Sequence, residues 1–153
     1  MKTANLFNST VAEIEITYRN RIQPSQMRHV SRSGDANDIF RDIWSDRMDY
    51  IEEFYILLVN RANKVLGYTR ISQGGLSGTV VDPKPIFQAA LKGNACSIIL
   101  AHNHPSGNTK PSEADIRITG KIVEVGKALE LPVLDHLILA GDEFFSFADN
   151  GMI

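Results

Sequence analysis

Ile98-Ile99-Leu100-Ala101-His102-Asn103-His104-Pro105-Ser106-Gly107 runs from an apolar core into a polar loop, and Pro111-Ser112-Glu113-Ala114-Asp115 follows at what reads as a helix start. Residues 95–101 form a short apolar run bounded by turn residues, the pattern of a strand buried on both faces. Residues two apart on an extended segment project to the same side, so His102 and His104 point together and Asn103 points away. Pro105 reinforces this, because the residue before a proline is pushed out of the helical region. Both imidazoles can therefore reach one ion. If the loop 105–111 folds back, Asp115 supplies a third ligand. Two imidazole nitrogens and one carboxylate oxygen suit zinc and leave a fourth tetrahedral position for water.

Ser112 and Asp115, three apart after Pro111, also fit a capping box, with Asp115 as a shorter stand-in for Glu. Capping accounts for that pair alone but not for two histidines after a buried strand, so a metal site is expected here. An open position on zinc makes the site catalytic: the bound water has its pKa lowered toward ~7, and a nearby carboxylate takes and returns protons. Glu52 and Glu53, before an apolar run, are the candidates for that carboxylate. His136 reads as a strand residue and His29 as part of a basic loop, and neither is expected to be a ligand.

Working outward, residues 112–129 place Ile118, Ile122, Val125 and Leu129 on one helical face, opposite Arg117, Lys121, Glu124 and Lys127. Residues 132–139 and 143–148 read as two closing strands around the turn Ala140-Gly141-Asp142. Upstream, residues 51–59 are apolar on both faces, as expected of a central strand. Residues 64–72 form its hairpin partner. Pro83 and Pro85 open a helix carrying Ile86, Phe87, Ala90 and Leu91. Gly74, Gly75 and Gly78 read as a loosened loop before Val80, and the loops 72–78 and 107–110 are those expected to select a substrate. Residues 36–44 form a short amphipathic helix, with Ile39, Phe40, Ile43 and Trp44 in one stripe. Residues 12–18 alternate apolar and polar and read as an edge strand. Between these last two, residues 19–32 carry Arg19, Arg21, Arg28 and Arg32 without an acid, a solvated connecting loop in the first reading and an anion or nucleic-acid contact in the second. The fold class is α/β, a mixed sheet flanked by helices. Residues 1–48 provide a strand, a basic loop and a helix packed on a domain of residues 49–153.

The 153 residues suit one domain with a proper core. An apolar fraction of 43% and a charged fraction of 22% fit a globular chain. A net charge of -2 argues against nucleic-acid binding through overall charge. Cys96 is the only cysteine, so no internal disulfide forms, a reducing compartment is expected, and the residue reads as a small strand core. The N-terminus shows no signal-peptide core, and no apolar run approaches the ~20 residues of a membrane span, so the expected localisation is cytoplasmic.

These residues resemble the JAB/MPN metalloenzyme family, whose JAMM motif is a distant Glu, then His-x-His-Pro, then Ser-x-x-Asp. The matching positions are His102-Asn103-His104-Pro105 and Ser112-Glu113-Ala114-Asp115; Asn103 with Pro105-Ser106-Gly107 resembles the RadC branch. The resemblance extends from about Glu52 to Ala148. It implies a single JAB/MPN (cytidine-deaminase-like) domain and zinc held by His102, His104 and Asp115. Ser112 would stabilise an oxyanion, and Glu52 would be the base, with Glu53 one position away as the alternative. The implied reaction is hydrolysis of a peptide or isopeptide substrate. The alternative is a DNA-repair or recombination accessory that binds nucleic acid through residues 19–32, and a third reading keeps the metal without turnover. Longer RadC proteins carry an N-terminal helical region associated with DNA binding, which the first fifty residues here do not resemble.

Overall fold

The computed structural model describes residues 10–74 and 80–153. The elements run α1 (Ser33–Ile43), β1 (Glu53–Val59), β2 (Val65–Gln73), α2 (Pro83–Lys92), β3 (Ser97–Asn103), α3 (Glu113–Ala128), β4 (Val133–Ala140) and β5 (Glu143–Ser146). The strands form one mixed sheet in the order β2-β1-β3-β4-β5. Only β3 and β4 are parallel, because α3 carries the chain back across the sheet between them. The apolar runs behave as expected, since β1 and β3 are buried along their whole length at the centre of the sheet.

Side-chain alternation divides β1 between two cores. Tyr55, Leu57 and Val59 meet Ile39, Phe40 and Trp44 of the α1 segment. Phe54, Ile56 and Leu58 meet Ile86 and Phe87 of α2 and Ile122 of α3. On β3, Ile99 and Ala101 join the α1 side, whereas Ile98 and Leu100 join the other. His102 continues the second set and Asn103 the first. That parity positions the site.

Several expectations change. No strand forms over residues 12–18, where Ile14 is 86% and Ile16 77% exposed. The alternation there defines an apolar side but supplies no partner strand. Helix α1 begins at Ser33, three residues before the expected start at residue 36, because the Asp35 carboxylate accepts from the backbone N–H groups of Ser31 (2.9 Å) and Arg32 (3.1 Å) and caps the helix start. Leu129 caps the end of α3 and is exposed; Thr119 and Gly126 are buried on that helix instead. Cys96 is half-buried and precedes β3. Of the glycine-rich loop, residues 75–79 lie outside the described residues.

Candidate metal centre

The site forms where β3 ends and α3 begins. His102 is 2% exposed. Beyond it, Gly107 adopts φ +83°, a left-handed conformation that suits a residue without Cβ, and its N–H donates to the His104 carbonyl at 3.0 Å. This turn reverses the loop so that α3 starts beside the histidines. The capping box expected of Ser112 and Asp115 is present: Asp115 N–H donates to Ser112 Oγ (3.1 Å), and Ser112 N–H donates to Asp115 Oδ2 (2.7 Å). Asp115 also faces both rings, with Oδ1 3.2 Å from His102 Nε2 and Oδ2 3.3 Å from His104 Nε2. Capping and convergence on the histidines are thus properties of one carboxylate. The cap fixes its rotamer, and the rotamer aims it.

The two Nε2 atoms lie 3.0 Å apart. His104 Nδ1 is 2.6 Å from the Asn108 carbonyl, which can only accept, so the His104 proton sits on Nδ1 and its Nε2 offers a lone pair. His102 Nδ1 is 2.8 Å from His136 Nε2. Electron-pair donors aimed at one point repel unless a cation or proton lies among them. Two imidazoles and a carboxylate in this arrangement fit a divalent ion of borderline softness. Among the described residues, His102, His104 and Asp115 are the group of metal-capable side chains that converges, with donor atoms within 4.8 Å of one another. Burial alone would raise the Asp115 carboxyl, but when the rings are protonated at Nε2, hydrogen bonds from His102 and His104 outweigh it and hold the group well below the usual carboxylate range. The same contact with Asp115 raises His104, with burial opposing.

Glu52 and Glu53 part company. Glu53 is fully buried on the α1 side, bonded to Arg47 (2.8 Å), Arg70 (2.9 Å) and the Ser45 hydroxyl. Glu52 lines a cavity of about 240 Å³ with Phe54, Val80, Val81, His102, Ala114, Asp115 and Ile118. Phe54 is paired with His102 across the β1–β3 ladder, so the residue two before it shares its side of the sheet. Ser112 is exposed, and its hydroxyl oxygen accepts the Asp115 N–H.

The sequence makes His136 a strand residue and not a ligand. It does lie on β4, but its ring is fully buried against His102, and burial pushes it well below the ordinary histidine range. No spacing signal ties it to the pair thirty-odd positions upstream; only the parallel β3–β4 pairing brings it there. In the basic segment, Arg28 pairs with Asp42 and Arg32 with Asp35, so two of its four arginines have acidic partners. Among the described residues no helix is long and apolar enough to cross a membrane.

The family model described as RadC-like JAB domain matches residues 30–152. A UPF0758 protein of Flavobacterium johnsoniae is 39% identical over 145 residues, covering 94% of this chain and 62% of the relative. One from Salinibacter ruber is 40% identical over 131 residues, covering 86% and 55%. The UPF0758 protein YfjY of Escherichia coli is 41% identical over 102 residues, covering 67% and 64%. The chain thus spans a little over half the length of these curated relatives.

Proposed function

Because the chain belongs to the RadC-like JAB domain family, we propose that it is a zinc-dependent hydrolase of peptide or isopeptide bonds, with His102, His104 and Asp115 holding the ion. One observation carries this reading. Three donor side chains from a strand end and a helix start converge, and Glu52 lines the cavity beside them. When bound, zinc supplies a Lewis acid that lowers the pKa of a water and polarises a carbonyl.

The remaining work falls to the chain. Glu52 takes the proton of the attacking water and delivers it to the departing amine, general base and then general acid. The Ser112 hydroxyl oxygen is engaged as an acceptor, which leaves its proton to donate to the oxyanion as charge develops on the carbonyl oxygen. Phe54, Val81 and Ile118 give the cavity apolar walls that strengthen both interactions by limiting water.

The test combines metal analysis with turnover of a fluorogenic isopeptide-linked substrate panel. Wild type is expected to carry one zinc per chain after reconstitution, and His104→Ala to lose it. Glu52→Gln is expected to keep zinc while hydrolysis falls by about 10²-fold or more. A zinc-free reconstituted wild type, or a Glu52→Gln variant that turns over at the wild-type rate, overturns the reading.

A further inference from the structure

We propose that His136 and Thr119 are positioning residues for the metal centre: one directed line of hydrogen bonds holds His102 with its proton on Nδ1 and its Nε2 lone pair turned toward the ion. This rests on the metal reading above and concerns two residues outside the ligand set.

The direction of the line follows from counting protons. The Asp115 backbone carbonyl can only accept, so Thr119 Oγ1, 2.6 Å away, donates its single proton there. The same hydroxyl oxygen lies 2.6 Å from His136 Nδ1 and has only a lone pair left to offer, which places the His136 proton on Nδ1. His136 Nε2 is then an acceptor, and His102 Nδ1, 2.8 Å away, donates to it. The His102 proton is thereby committed away from His104 and Asp115. Only this direction leaves His102 Nε2 a lone pair. His136 has no exposed surface, and its apolar walls disfavour the charge that a second proton would bring.

Ring stacking prevents the imidazoles from swinging out of line. Phe147 lies nearly parallel to His136, at 4.8 Å and 13°. Phe54 lies nearly parallel to His102, at 6.1 Å and 7°. The line also closes on itself. Asp115 faces His102 Nε2 with its carboxylate and ends the chain with its own backbone carbonyl, and Thr119 stands one helical turn after it. Strands β3 and β4 and helix α3 are thus joined through the site. His104 receives the same service from a backbone carbonyl, that of Asn108, which no side-chain change removes. His102 therefore depends on side chains where His104 does not.

Two measurements test this. Long-range ¹⁵N–¹H NMR on wild type is expected to show His136 as the Nδ1–H tautomer without metal and His102 as Nδ1–H with zinc bound; an Nε2–H tautomer at His136 overturns the proposal. Zinc affinity, measured by competition with a chromophoric chelator, is expected to fall about 10–100-fold in His136→Leu and in Thr119→Val. Thr119→Ser, which restores the hydroxyl, is expected to recover most of that loss, and the cobalt(II) absorption spectrum should shift in the two weakened variants and return in Thr119→Ser. Folded variants that bind zinc within twofold of wild type overturn the assignment. Should His136→Leu fail to fold, the Thr119 pair and the wild-type tautomers decide. A wild type that binds no zinc overturns the metal reading, and the His136 tautomer then decides the direction of the line by itself.

Discussion

Asn103 stands between the two histidines and serves the opposite side of the sheet. Its Oδ1 accepts from Glu53 N–H at 2.7 Å, while its Nδ2 donates to the carbonyls of Met48 (2.7 Å) and Ile51 (2.8 Å). That requirement, one acceptor and two donors in a buried place, is met by an amide and not by a carboxylate. The residue between the candidate ligands thus pins the segment that presents Glu52. Asp35 shows a second single-residue dependence, this one on pH. Hydrogen bonds from Ser31 and Arg32 lower its pKa from 3.8 to about 2. Because the folded-state value is depressed, its contribution to stability is complete above the unfolded value and is lost as pH falls through the folded one. Asp35→Asn should unfold at lower urea than wild type at neutral pH, and the two midpoints should converge as pH is lowered from 3.8 to about 2. An undiminished gap at the acid end would contradict this role.

Among the elements, α3 is tightly held near its C-terminal end, away from the site. A Cβ on Gly126 would run into the backbone carbonyl oxygen of Leu131, and Leu131 N–H donates to the Gly126 carbonyl at 2.8 Å. Gly126→Ala must therefore push the helix or the following turn aside, at an expected cost of about 1–3 kcal/mol in urea unfolding; wild-type stability would show that the turn yields freely. Here tertiary contact reverses local preference, since alanine is the better helix former. Residues 12–18 show the converse. Their alternation has the period of a strand, yet both free sheet edges, β2 and β5, remain without them. A period of two fixes which side chains share a side, and an edge with matching register must still accept them.

For the molecule as a whole, the candidate site ties β3 to α3, so a bound ion should register as global stability. At free zinc about 100-fold above Kd, binding to the native state adds about 2.7 kcal/mol. For a domain of this size that is about 5–10 °C in Tm. A chelator should lower the wild-type Tm by that amount and leave His104→Ala unmoved; equal Tm values for wild type with and without chelator would count against a bound ion. The sequence by itself determined the α/β class, the five sheet strands and three helices within a few residues, the common side of His102 and His104, and the cap joining Ser112 to Asp115. All of these follow from spacing along one chain segment, because backbone geometry sets where residues two or three apart point. Tertiary structure alone decided that Glu52 lines the cavity while Glu53 is held by arginines on the α1 side, that His136 stands behind His102, and that residues 12–18 join no sheet. These depend on which strand lies beside which and which face each helix covers, and periodicity within a segment carries no information about its neighbour.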